Sequence, residues 1–264
     1  ATPVYLHCEH VIAAAGHGKH VLCEKPMAMN VSECERMIAA CNQNGVQLEV
    51  CFVLRFHSCF REIKQLIANG ELGEIVEMRV PLLKLYPIAE GLWRRDPARA
   101  GGGVLMDMGS HAIDLVAYLL DDDISKVAAF LDSRINKWEV EETALVLMQT
   151  KGGVHAVIDT SFIVPYSEVV LEIYGIKGSV LITNGQEWKV RVCVDNSVRE
   201  ELKPVENLYR AMVEHFCKCI NGEEDPIAPG VAGLRNIQVI SSAYDSARTG
   251  RIISVPDFFD VDKA

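Results

Sequence analysis

The sequence predicts an α/β segment followed by an α+β segment: the later part of a doubly wound parallel sheet, then a domain with a large, mostly antiparallel open sheet. Three observations carry this. Helical and strand patterns alternate over the first fifty residues. From Ile124 to Val194, short alternating runs follow one another with no long helix between them. Two further helical patterns close the chain.

Taken in order, residues Val4 to Ala15 read as a helix opening at Pro3, a favoured first-turn residue, and stopping at Gly16 and Gly18. A short strand, His20 to Cys23, leads directly into Glu24-Lys25-Pro26. Ser32 and Glu35 have capping-box spacing and open a second helix, with Met37, Ile38 and Cys41 on its apolar face and a stop at Asn44-Gly45. Gln47 to Phe52 read as the next strand, which makes αβαβ. Ser58 to Ala68 read as a helix, and Ile75 to Leu82 as a strand with Val76, Met78 and Val80 opposed to Glu77 and Arg79. A loop rich in Pro, Trp and Arg ends at Gly101-Gly102-Gly103, and Val104 to Leu120 is a helical run. In the later runs Trp188, Val190, Val192 and Val194 alternate with Lys189 and Arg191, so one sheet face is solvated or covered by a partner. The closing helices are placed near Glu206–Ile220 and Val231–Ala247.

Composition narrows the function classes. Twenty-six basic against 36 acidic residues give a net charge of −10, which disfavours nucleic acid and anionic membrane surfaces as partners. No uninterrupted apolar run approaches membrane-spanning length, and the first ten residues lack the basic start and apolar core of a signal peptide. Nine cysteines, an odd number with no CxxC pair, read as reduced thiols of a cytoplasmic protein. Their spacings do not fit a zinc site, so no metal is expected. No G-x-G-x-x-G occurs in the 264 residues, and Gly101-Gly102-Gly103 does not fit that motif. The chain opens where a strand would hand over to a helix, as if two βα units of about 30 residues each preceded it.

Several residues could carry chemistry. Lys25 follows a predicted parallel strand, where ligands of open α/β sheets bind; it reads either as a donor to a substrate oxygen or as half of a solvated Lys–Glu pair. Asp107 and His111 lie four apart on a helix, with Asp114 and Tyr118 extending the stripe. Proton transfer and an ordinary exposed face are both open readings. His7 either approaches a cofactor or is merely half-buried. Arg55, after the last parallel strand, either faces the cleft or makes a surface ion pair. Trp93, Arg94 and Arg95 read as the wall of a polar substrate pocket or as a packed loop. His17, His20, His57, His155 and His215 read as structural or surface residues.

Taken together, the motifs resemble one family. Ala1-Thr2-Pro3 is followed by His7, then by GKHVLCEKPMA at 18–28, Arg55-Phe56, GELGEI at 70–75, Trp93-Arg94-x-Asp96-Pro97, and GGGVLMDMGSHAIDL at 101–115. Their order and spacing are similar to the glucose–fructose oxidoreductase / inositol dehydrogenase / MocA oxidoreductases, down to Ala243, Ser246 and Gly250. Val53 departs from the pattern, since members commonly carry Asn there.

The resemblance implies the C-terminal part of a Rossmann NAD(P)-binding domain over residues 1–55. It also implies a substrate-binding and oligomerisation domain over 56–264, whose sheet forms a dimer or tetramer. It implies Lys25, Asp107 and His111 as catalytic residues, and Thr2, Pro3, His7, Glu24, Lys25 and Arg55 around NAD or NADP. Lys25, Trp93, Arg94, Asp107 and His111 are implied around a sugar, cyclitol or related polyol whose secondary alcohol exchanges a hydride with the cofactor. Two alternatives stand beside this: an NAD-assisted glycoside hydrolase of the same family, and a redox-inactive oligomerising or sugar-binding fragment.

Overall fold

The computed structural model describes residues 2–257. A short 3-10 turn, Val4–Leu6, leads into α1 (His7–Gly16), β1 (Val21–Cys23), α2 (Val31–Gln43) and β2 (Leu48–Val50). β1 and β2 pair in parallel, with Val21 opposite Leu48 and Cys23 opposite Val50. The box that opens α2 is shifted from the expected one. Asn30 holds extended backbone and accepts from Glu33 N–H at 3.0 Å, while the Glu33 carboxylate accepts from Met29 N–H at 3.0 Å. Ser32 therefore lies inside the first turn rather than at its cap, because the chain turns helical two residues earlier than the Ser–Glu spacing suggests.

A 3-10 turn, Val53–Phe56, and α3 (Ser58–Ala68) lead to β3 (Ile75–Leu83). After the loop come α4 (Pro97–Ala100) and α5 (Ser110–Leu120), then seven strands: β4 (Ile124–Asp132), β5 (Thr143–Thr150), β6 (His155–Ser161), β7 (Val169–Gly175), β8 (Gly178–Asn184), β9 (Trp188–Val194) and β10 (Ser197–Lys203). Helices α6 (Leu208–Ile220) and α7 (Gly230–Thr249) and a short β11 (Ile253–Ser254) complete the chain as described. Among the described residues, nine strands of this sheet order as β10-β9-β8-β7-β3-β6-β5-β4-β11; the β3–β6 pair is parallel and the other pairs are antiparallel. β10 escaped the sequence reading because it shows no alternation: six of its seven residues are exposed. It exists because Asp195 and Asn196, both at positive φ, turn the chain back to pair with β9, and its charged residues protect the sheet edge.

Met78, Val80, Val146, Ile158 and Ile173 point from the sheet into one core that also takes in α3, α5 and α7. Helix α7 packs on both β4 and the α2–β2 unit, so it ties the two halves of the chain together. The run Pro97–Leu120 is long and apolar enough to cross a membrane, but 67% of its apolar window is buried inside this fold. It is the central core helix, and its first turns hold the residues expected to do chemistry.

Gly102 and Gly103, within that run, have a steric reason. A Cβ on Gly102 would lie 1.8 Å from the Tyr244 hydroxyl oxygen, and one on Gly103 1.9 Å from the Glu141 carbonyl oxygen. The close approach lets half-buried Glu141 cap the helix: its carboxylate accepts from Gly103 N–H (2.9 Å), Leu105 N–H (2.9 Å) and the Tyr244 hydroxyl (2.8 Å). Gly103→Ala is expected to destabilise the protein by about 2–3 kcal/mol, since a backbone carbonyl cannot swing aside as a side-chain tip can. Thermal unfolding should show a midpoint lower by about 5–10 °C. An unchanged midpoint would mean that the cap tolerates displacement.

Candidate active site

The end of β1 delivers Glu24, Lys25 and Pro26 to the mouth of a cleft of about 330 Å³, lined also by Thr2, His7, Trp93, Arg94 and Asp107. Lys25 Nζ donates to Asp107 Oδ1 at 2.5 Å and to the Asp107 backbone carbonyl at 2.9 Å. An ammonium has three N–H donors, so one remains for a substrate oxygen. Arg94 Nε lies 4.0 Å from Asp107 Oδ2, and its guanidinium stacks 4.5 Å from the Trp93 ring. Burial pulls the Asp107 carboxyl up. The Lys25 ammonium outweighs that, with Arg94 and His111 adding to it, and holds the group below the usual carboxylate range.

The carbonyl of Asp107 can serve Lys25 because the helix is wide at this point. Leu105–Gly109 form a π turn before α5, and such turns release carbonyls from the regular ladder at functional sites. The same carbonyl also accepts from the Ser110 hydroxyl at 2.8 Å.

Half-buried His111 interacts electrostatically with this pair and is not among the residues that line the cleft. Its Nδ1 is buried without a hydrogen-bond partner. Burial, reinforced by the Lys25 charge and opposed by Asp107, pushes the imidazole down to about 3. It is therefore neutral at ordinary pH, the form a proton acceptor needs. The sign of the linked stability follows. Unfolded, the ring titrates near ~6.5. Below that value the unfolded chain takes up a proton that the folded chain refuses. Stability is therefore full above about pH 6.5 and falls as pH drops towards about 3. His111→Asn should consequently lose less thermal stability than the wild type between about pH 7 and about pH 5. Parallel slopes would show that His111 is protonated in the fold.

Other expected site residues are placed differently. Buried His7 belongs to the cleft wall, yet its ring nitrogens lie 3.1 Å from the Pro26 carbonyl and 2.9 Å from the Thr2 carbonyl. It ties the start of the chain to the Lys25–Pro26 loop. Pro3 is not part of the cleft lining. Arg55 is not brought there either: it is 8% exposed and forks onto Asp114 with Nε and Nη2 at 3.1 and 2.6 Å, while Nη1 donates to the Ile227 carbonyl. Tyr118 stacks on the same guanidinium at 5.0 Å. The expected stripe of Asp107, His111, Asp114 and Tyr118 is thus divided between two partners: Asp107, in the π turn, meets Lys25, while Asp114 and Tyr118, in α5, meet Arg55. Tyr209, Phe162 and Met106 also line the cleft and were not expected. Tyr209, Phe162 and Glu141 carry no local signal, since each reaches the site from a distant element, whereas Met106 is the chain neighbour of Asp107.

Residues 1–52 match the oxidoreductase family with an NAD-binding Rossmann fold, and residues 60–181 match the GFO/IDH/MocA C-terminal domain. The chain is 31% identical to a 1,5-anhydro-D-fructose reductase of Ensifer adhaerens, over 95% of this chain and 77% of the relative. The chain belongs to the GFO/IDH/MocA oxidoreductases. A myo-inositol 2-dehydrogenase of Thermotoga maritima is 29% identical, over 95% of this chain and 77% of its own length. Among solved structures, an aldose-aldose oxidoreductase from Caulobacter crescentus, complexed with glycerol, superposes with a TM-score of 0.89 at 31% identity, covering 96% of this chain and 77% of that one. As a member of this family the chain is an NAD(P)-dependent oxidoreductase with a Rossmann unit and a mostly antiparallel sheet domain.

The cleft fits one part of the cofactor. It lies at the C-terminal end of β1, where such folds bind their dinucleotide, and Thr2, Glu24 and Lys25 could flank a nicotinamide there. No glycine-rich pyrophosphate loop is among the 264 residues.

Proposed function

We propose that this GFO/IDH/MocA protein reversibly oxidises a secondary alcohol on a sugar, cyclitol or related polyol with NAD or NADP. The observation that carries the reading is the Lys25–Asp107 pair in a cleft at the β1 end, with a neutral, unpartnered His111 beside it. A bound nicotinamide supplies the hydride chemistry. Lys25 directs its remaining N–H at the substrate oxygen and stabilises the alkoxide as it develops. His111 takes the hydroxyl proton and returns it in the reverse direction. Asp107 holds Lys25 in place and keeps a negative charge beside the imidazolium that forms. Trp93 and Arg94 supply an aromatic and a hydrogen-bonding wall for a polyhydroxylated ring. In this reading residues 1–55 hold the nicotinamide side, and residues 56–264 hold the substrate side.

Titration with NADH and NADPH, followed by nicotinamide fluorescence and then a polyol screen, tests this. Saturable binding and substrate-dependent reduction of the cofactor are expected. Release of a sugar from a glycoside without net reduced cofactor would replace the reading with glycoside hydrolysis. No binding by the folded protein would remove the redox reading from this chain.

We also infer a homodimer or tetramer built on the outer face of the nine-stranded sheet. Phe130, opposite Leu145, and Leu147 leave that face apolar, at 74%, 41% and 48% exposure. Sedimentation should give a multiple of the chain mass, and Phe130→Asp with Leu147→Asp should give the single chain. A wild-type monomer would refute the interface. Nine unpaired cysteines support a reducing, cytoplasmic setting, which cell fractionation would check.

A further inference from the structure

Outside the cleft, three side chains that are remote in sequence converge between the parallel strands and α6. Glu49 of β2 is 0% exposed. One of its oxygens, Oε1, accepts from Ala228 N–H at 3.3 Å, and the other, Oε2, is buried with no partner. His215 Nε2 lies 3.5 Å from Glu49 Oε1 and 3.3 Å from the sulfur of buried Cys219, one turn further along α6. The ligand-type atoms of the three residues all fall within 4.8 Å of one another.

We propose that Glu49, His215 and Cys219 form a binding site for a divalent transition-metal ion of the zinc type, with a fourth position left to water. Geometry comes first. Zinc bonds of about 2.3 Å to sulfur and about 2.0–2.2 Å to nitrogen and oxygen set the edges of a tetrahedron at about 3.3–3.6 Å. The observed N···S and N···O separations of 3.3 and 3.5 Å already match those edges. The outer shell is also in place. Glu224 Oε2 lies 2.7 Å from His215 Nδ1 and is held in turn by Lys218 at 2.6 Å. A carboxylate on Nδ1–H fixes the tautomer that leaves the Nε2 lone pair for a metal. The third argument is the carboxylate as a whole: it is fully buried, its Oε2 has no donor among the described residues, and a cation held at Oε1 offsets the charge left buried there.

On binding, the Cys219 S–H bond breaks. The sulfur keeps the electron pair and donates it to the ion, and the proton passes to solvent. The Nε2 lone pair, which now accepts from Ile227 N–H at 3.1 Å, turns to the metal. That N–H lies within reach of the Glu49 carboxylate as an alternative acceptor. Spacing along the chain could not reveal the site, because Glu49 is far in sequence from the His215–Cys219 pair. None of the three residues lines the cleft, but Tyr209, in the first turn of the same helix, does. The ion would clamp α6 to β2 and so set the position of Tyr209.

The test needs no activity and stands apart from the redox reading. Chelator-treated full chain is titrated with Co²⁺, then with Zn²⁺. One equivalent of Co²⁺ is expected to bind with a thiolate-to-metal charge-transfer band. Zn²⁺ at a hundredfold excess over its Kd should raise the thermal midpoint by about 5–10 °C. Cys217→Ser, which removes the exposed neighbouring thiol, should keep the band. Cys219→Ser should lose it, and His215→Gln should weaken binding at least tenfold. Absence of the band in the wild type overturns the site whether or not the variants fold. So does a band that survives in folded Cys219→Ser.

Discussion

In the His111→Ala protein, turnover of the polyol is expected to fall by about 10²–10⁴, while the affinity for NADH or NADPH changes by less than about twofold. The asymmetry follows from where the imidazole sits. It interacts electrostatically with Lys25 and Asp107, and among the described residues its buried Nδ1 has no hydrogen-bond partner. Losing it removes the proton acceptor and leaves the Lys25–Asp107 pair intact. Steady-state kinetics with a parallel fluorescence titration separate the two effects. Equal losses in turnover and cofactor affinity would move His111 from proton transfer to cofactor binding.

Much of this site was legible because its parts are local. Glu24-Lys25-Pro26 follows a strand of three residues, and a strand end in a parallel unit is already an address. Asp107 and His111 are one helical turn apart, so no knowledge of the rest of the chain was needed to place them together. What failed depended on distance. Asp114 and Tyr118 were read as extending the Asp107–His111 stripe, and they instead meet Arg55, which comes from another element. Arg55, after the second parallel strand, was read as facing the cleft or as making a surface ion pair; it makes an ion pair, but a buried one with a partner 59 residues away. Glu141 was not singled out, because it caps the core helix from 36–38 residues away. β10 was missed because ladder partners, rather than burial, make it a strand.

Arg55→Met should give the largest loss of stability, about 3–5 kcal/mol, because it leaves the Asp114 carboxylate buried and uncompensated. Asp114 is 4% exposed, and burial already pushes its carboxyl up despite the opposing Arg55 charge. In the variant that upward pull goes unopposed. A raised folded value means that the fold binds its proton more tightly than the unfolded chain does. The defect is therefore expected to ease as pH falls and to deepen as pH rises. The double change Arg55→Met with Asp114→Leu should recover most of the loss, since apolar groups of similar volume replace buried ion pairs at little cost. Denaturant midpoints across the four proteins give the coupling directly. If Arg55→Met instead weakened cofactor binding and left stability unchanged, Arg55 would belong to the cofactor site after all.

The π turn also bears on how the gene can vary. Deleting a single codon between 105 and 109 would let the helix close with regular spacing, but the residues before the cut would turn by about 100° relative to α5. Asp107 would swing away from Lys25, while Arg55 and Asp114, beyond the cut and on another element, would keep their pairing. Such an in-frame loss would leave the core helix continuous and take the Asp107 carboxylate out of the cleft. The length of this one turn is therefore under a constraint that residue-by-residue substitution would not reveal.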